Sequence, residues 1–136
     1  MNWLIPAMLA LVSWGAWGVL SKLALDHYRW HEVMGLSSFV TLLFAAMFHI
    51  TSRSSFKLDS PGLWITLATS VFGSLALVGF FVALEIGKAS LVVPLTALYP
   101  AITVVLSVVF LKEDFTPLKG AGIVLAILAV VLLSAE

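Results

Sequence analysis

Cysteine is absent from this chain of 136 residues. Its absence excludes disulfides, thiolate metal sites and thiol catalysis. Charge is scarce: 10% of residues are charged, and the seven basic and seven acidic ones cancel. A balanced charge implies neither nucleic acid nor an anionic surface as partner. Long polar segments are missing as well. Apart from Thr51–Ser60, the connections between apolar runs are a few residues long, which leaves no room for a water-soluble domain. No Gly-x-Ser-x-Gly, no His-Glu-x-x-His and no mid-span aspartate pair is present, so intramembrane protease chemistry and other enzyme readings find no support. Met1-Asn2-Trp3 offers no basic n-region, and the first apolar run is too long for a removable signal peptide. That run is expected to be a true membrane span.

What the chain has in abundance is apolar length. It is 62% hydrophobic, and five stretches take up most of it: Trp3–Leu25, Val33–Ile50, Gly62–Leu84, Ala89–Leu111 and Pro117–Ser134. Crossing the hydrocarbon takes about 20 helical residues. Unpaired backbone groups are too costly in lipid for anything but helices or a closed barrel, and these runs alternate too weakly for barrel strands. The expected fold class is an all-α membrane protein of five transmembrane helices. An odd count puts the two termini on opposite sides. A second copy inserted upside down could then pair with the first, which is the symmetry of inverted-repeat transporters.

Helix punctuation supports these spans. Asp59-Ser60-Pro61 places a cap before a first-turn proline ahead of span 3, and Asp114-Phe115-Thr116-Pro117 does the same for span 5. Asp26–Glu32 reads as a polar, aromatic connection between spans 1 and 2, and Trp3, Trp30 and Trp64 fall where interfacial tryptophans belong. Span 5 is the shortest and would thin the bilayer locally or lie in a dimer contact. Basic residues divide almost evenly. Arg53, Lys57, Lys112 and Lys119 fall on the N-terminal side, against Lys22, Arg29 and Lys88 on the other. The positive-inside rule has little to act on, so both fixed and dual insertion stay open.

Polar residues within the spans are the candidates for function. Thr96, Pro100, Thr103 and Ser107 follow spacings of four, three and four on span 4, with Tyr99 beside them. Pro100 cannot donate to the carbonyl of Thr96, nor Pro94 to that of Ser90. This face is either the wall of a substrate cavity or a kinked helix whose hydroxyls bond their own backbone. On span 1, Trp14, Gly18 and Lys22 recur every four residues, with Trp17 and Ser21 adjacent. The indoles could stack on a cationic or aromatic solute, or they could simply pack. Lys22 either snorkels to the headgroups or points inward to a functional site. Span 3 contributes Thr66, Ser70, Gly73 and Ser74, and ends at Glu85, which is either an interfacial anchor or a proton-exchanging acid. His27 and His31, four apart beside Asp26 and Glu32, are either a surface metal site or, as preferred, a polar connection that needs no metal. Gly120, Gly122, Ala126 and Ala129 form a small-residue face suited to helix contact. The expected substrate-binding set is Trp14, Trp17, Lys22, Ser70, Thr96, Tyr99, Pro100 and Thr103, with no catalytic residue, cofactor or metal.

At spans 4 and 5 the chain resembles an EamA domain of the drug/metabolite transporter superfamily. The resemblance runs through Ala83-Leu84, Ala89-Ser90, Pro100, Leu111-Lys112-Glu113 and Gly122, and Trp14-Gly15 with Ser21-Lys22 is similar to that family's first span. It covers residues 1–136 as one EamA-like transmembrane domain. Most members carry two such units, inverted, in one chain, so a single unit implies a homodimer, with an antiparallel arrangement as one form, or a partner that supplies the second half. The resemblance implies alternating access around a cavity between spans 1, 3 and 4, and makes Glu113 a structural cap. Ala129 stands where a glycine is usual. The related small multidrug transporters use a carboxylate where this chain has Trp14, so their proton exchange does not carry over.

The expected function is therefore a small secondary transporter in the bilayer of a prokaryotic cell. It would move a small neutral or zwitterionic metabolite. The alternative is a non-transporting membrane subunit or assembly partner whose helices pack against another protein.

Overall fold

In a computed structural model, residues 3–52 and 61–135 can be described, and they form six helices. These are α1 (Leu4–Leu25), α2 (Trp30–Thr51), α3 (Pro61–Ile86), α4 (Ala89–Thr96), α5 (Tyr99–Phe110) and α6 (Pro117–Leu133). Among the described residues there is no strand. Four runs are long and apolar enough to cross a bilayer: α1, α2, α3, and Ala89–Phe110, which comprises α4 and α5. Helix α6, at 17 residues, is apolar but shorter. The protein is thus an all-α membrane protein of about five spans. Only 6–11% of the residues in the four longer spans are buried within the chain, so most of their surface meets lipid or a partner.

The chain divides into two compact units, Met1–Ile86 and Gly87–Glu136. In the first unit α1, α2 and α3 pack on one another. Trp17 meets Phe80 and Phe81, and Lys22 meets Leu84, so α1 and α3 run parallel. Each helix carries a stripe of alternating three- and four-residue steps, Leu11, Trp14, Gly18, Ser21 on α1 and Ser70, Ser74, Leu77, Phe81, Leu84 on α3. These stripes make up the α1–α3 seam, and the contacts at Trp17 and Lys22 fall toward its C-terminal end. Helix α2 starts three residues earlier than the apolar run suggests. The backbone N–H of Arg29 donates to the Glu32 carboxylate at 2.8 Å, satisfying a donor at the helix start and drawing Trp30–Glu32 into the first turn. Helix α3 begins at Pro61 as its proline signal implies, while the Asp59-Ser60 cap lies outside the described residues.

In the second unit α4 packs against α6. The expected cap at Thr116 is present: its hydroxyl accepts from the Lys119 N–H at 3.3 Å, and Pro117 opens the helix. Phe115 folds back over Gly120. A Cβ built there would lie 3.1 Å from the Phe115 ring, so this glycine makes room for the ring to lie against the first turn. Span 4 is not one continuous helix. It divides at Ala97–Leu98, where the Leu98 N–H reaches back only to Leu95 and Ala101 only to Leu98. The cause is local. Pro94 and Pro100 each remove a backbone donor, and the Pro100 ring crowds the carbonyl one turn before it, so the turn between them tightens. At the far end of α5, Lys112 adopts φ 54°, a left-handed conformation that costs a side-chain-bearing residue on the order of 1 kcal/mol. That turn lets the Glu113 N–H cap the Ser107 carbonyl at 3.3 Å. Glu113 therefore closes the helix through its backbone.

Candidate functional site

Burial changes steeply along the α1–α3 seam. On α3, Leu84 is 0% exposed, Phe81 1% and Leu77 38%, while Ser74 and Ser70 are fully in the exposed class. On α1, Ser21 and Gly18 are buried, whereas Trp14 is 63% exposed. The helices seal against each other at their C-terminal ends and leave the same stripe uncovered toward their N-terminal halves. The uncovered part carries an indole and two hydroxyls.

Trp17 and Lys22 lie in the sealed part. The Trp17 indole stacks on Phe80 with centroids 4.9 Å apart and meets the edge of Phe81 at 5.6 Å. Such aromatic pairs contribute about 0.5–1.5 kcal/mol beyond the area they cover. Lys22 is half-buried and donates from Nζ to the Leu84 carbonyl at 2.8 Å. That carbonyl is among the last four of α3, which have no partner within the helix. A cation there also complements the negative end of the helix dipole. Lys22 thus points inward, as one of its two expected placements required, and its ammonium is bound to protein. Directly after it on α3, Glu85 pairs with Arg29 from the α1–α2 connection at 2.9 Å. The guanidinium side is 72% exposed, so the pair contributes ~0–1 kcal/mol. It makes Glu85 a partnered residue at the end of the span.

Trp14 and Ser70 lie in the uncovered part, at different depths. The register set by Trp17–Phe80 puts Ser70 level with Ala7, two helical turns from Trp14, or ~10 Å along the axis. The Ser70 hydroxyl donates to the Thr66 carbonyl at 2.9 Å, and Thr66 to Gly62 at 2.8 Å.

In the second unit Thr96, Tyr99, Pro100 and Thr103 are all exposed. The Thr96 hydroxyl donates to the Val92 carbonyl at 2.8 Å, with Val93 at 3.0 Å, and Thr103 donates to Tyr99 at 3.2 Å. Ser107, half-buried, bonds Val104 at 3.0 Å. Each hydroxyl satisfies its proton on its own helix and keeps an acceptor lone pair turned outward. The division of span 4 falls near its middle, between Thr96 and Tyr99. Interrupted backbone at membrane depth is tolerated where protein or a watery cavity covers it. A groove between α5 and α6, lined by Ala101, Ile102, Val105, Leu106, Ile123 and Ile127, is wholly apolar and offers no polar anchor to a solute. Among the described residues no group of three metal-ligating side chains comes together, His27 and His31 included.

Sequence reasoning overlooked two features of the site. The acceptor for Lys22 is a backbone carbonyl, which leaves no mark in a sequence. The Arg29–Glu85 pair joins residues from separate segments. Its one available signal is that both charges end up at the same membrane face once the spans are counted.

Apolar helices that bury little of themselves, one of them interrupted at mid-depth, define an integral, multi-pass membrane protein with exposed polar faces. The chain belongs to the EamA-like transporter family, whose model it matches over residues 1–135. It is also similar to an uncharacterised protein of Methanocaldococcus jannaschii, with 51% identity over 70 residues. That match covers 52% of this chain and 49% of the relative, so it spans about half the length of each. No solved structure matches the chain.

Proposed function

We propose that this chain is one half of a secondary transporter of the drug/metabolite type. It moves a small neutral or zwitterionic metabolite by alternating access, with a second copy, antiparallel in one form, supplying the other half. One EamA-like domain spans the chain, and the host bilayer is a prokaryotic cell membrane. The observation that carries this reading is the exposure of polar and aromatic surface on membrane-spanning helices of a transporter family. Trp14, Ser70, Thr96, Tyr99, Pro100 and Thr103 are all uncovered in the single chain. The hydroxyl protons bond their own helices, and the lone pairs and ring faces left outward find partners along a solute path that lipid does not offer. Trp14 and Tyr99 offer flat faces to a solute, and Thr96 and Thr103 offer acceptor oxygens. Trp17 and Lys22 shape the closed end of the seam, with Lys22 placed to meet a polar group of the solute when that end opens.

The test is reconstitution. Purified protein in liposomes should take up at least one member of a panel of neutral and zwitterionic metabolites, and should cross-link as a dimer. Lysines added at the C-terminus should force one orientation and impair uptake, with rescue by a copy of opposite bias. Specific binding without uptake would favour the non-transporting subunit. Full activity of a single forced orientation would rule out the antiparallel pair.

A further inference from the structure

The sealed end of the first unit is fastened in a way that helix packing alone does not require. Ser21, Val33, Phe81 and Leu84 are buried at this end, none more than 6% exposed, and together they supply an apolar plug. Two polar ties cross it, from successive segments of the chain to successive residues of α3. Lys22 of α1 holds the Leu84 carbonyl, and Arg29 of the α1–α2 connection holds the Glu85 carboxylate. Both ties fall on the last turn of α3, immediately before the first unit ends at Ile86.

We propose that this end is a gate: an apolar plug closed by a two-point electrostatic latch, which opens once in each transport cycle. The inference rests on the alternating-access reading above. The division of labour follows from the environments. Lys22–Leu84 is half-buried and uses a backbone acceptor, so it aligns α3 with α1 in the closed state. In Arg29–Glu85 the guanidinium side is 72% exposed and the carboxylate side 21%, so salt reaches the pair through the arginine and it is weak enough to release. A gate needs such a balance, because a solute can shift a two-state equilibrium only by its differential affinity for the two states. Above the plug, the exposed stretch of the same seam leads to Trp14 and the serines of α3. A solute lodged there would leave past Phe81 and Leu84 when the latch parts.

The cysteine-free chain allows a direct test in membranes. Ser21→Cys places a thiol inside the plug, and its rate of reaction with a small water-soluble maleimide reports opening. In the otherwise unaltered chain the rate should be low and should rise with ionic strength. Glu85→Ala should raise it roughly twofold, the size expected for removing one exposed ion pair, and should abolish the salt dependence. The exchange Arg29→Glu with Glu85→Arg should return the rate toward the unaltered value, which a merely structural role for either residue would not produce. If Ser21→Cys does not fold, Val33→Cys reads the same plug. An unchanged rate in Glu85→Ala, or an exchange as reactive as the single variant, overturns the latch. A parallel probe at Trp14→Cys separates this from the transport reading. If Ser21→Cys becomes more reactive and the exchange restores it, the latch stands. If Trp14→Cys then shows no matching fall, alternating access fails.

Discussion

Two stretches of one helix face behave oppositely. At the C-terminal end of α3, Phe81 and Leu84 are shut away with Ser21 of α1. Two turns earlier on the same stripe, Ser74 and Ser70 are open. The helix, the neighbour and the seam are the same; the residues differ. The closed stretch presents a phenyl ring and a leucine, buried as Gly18 and Ser21 of α1 are. The open stretch presents hydroxyls and an indole, which are exposed. Within a membrane, helices gain no hydrophobic stabilisation by meeting, because lipid is as apolar as leucine. Packing and polar ties decide where they touch, and here both lie at one end.

The comparison breaks most visibly at Phe81. Phe81→Ala should lower stability by about 3 kcal/mol. That is the low end for such a truncation, because lipid removes the transfer term and leaves the cavity. Ser74→Ala on the open stretch should change it by less than about 0.5 kcal/mol. Unfolding in mixed detergent, followed by tryptophan fluorescence, measures both. Equal effects would mean that the two stretches do not differ in packing.

Removing the polar tie comes next. Lys22→Met keeps the length and loses the cation, so it should cost about 1–2 kcal/mol by the same measurement. Arg29→Ala should cost about 0.5 kcal/mol or less, and less still at high salt. A larger loss from Arg29→Ala than from Lys22→Met would reverse the roles given to the two ties.

The second unit offers a finer contrast, between two neighbouring glycines of α6. Gly120→Ala meets the Phe115 ring at 3.1 Å, so the gain in helix propensity is offset by displacement of that ring. Gly122→Ala meets nothing within 4 Å and should be neutral, or stabilising by up to about 1 kcal/mol, in the isolated chain. If Gly122→Ala instead abolishes dimer cross-linking, that face of α6 is where the second copy sits.

Spans and caps were legible because they are written in local signals. Pro61 and Thr116-Pro117 opened helices where their types required. The kink in span 4 was legible from Pro94 and Pro100, but its form was not. Four-residue spacing assumes an unbroken helix, and the tightened turn at Ala97–Leu98 interrupts that count. For the site, the spacing on α1 grouped Trp14, Gly18 and Lys22 as neighbours four residues apart. It could not show that this stripe is covered at Gly18 and bare at Trp14, because coverage depends on how α3 approaches. Nor could it set the register that places Ser70 two turns from Trp14. Relations of this kind join distant segments, and composition holds no record of them.

The central claim is that the bare polar faces meet water along a solute path, whereas apolar surface of the same helices meets lipid. Single cysteines at Ser70, Thr96 and Thr103 should react with a water-soluble thiol reagent on the order of tenfold faster than cysteines at Val105 and Leu125, because thiolate forms only where water reaches. Val105 and Leu125 are 54% and 66% exposed in the chain, so bare geometric exposure alone would not separate the two sets. Equal rates at all five positions in correctly folded protein would contradict the claim and make the hydroxyl stripes ordinary helix surface.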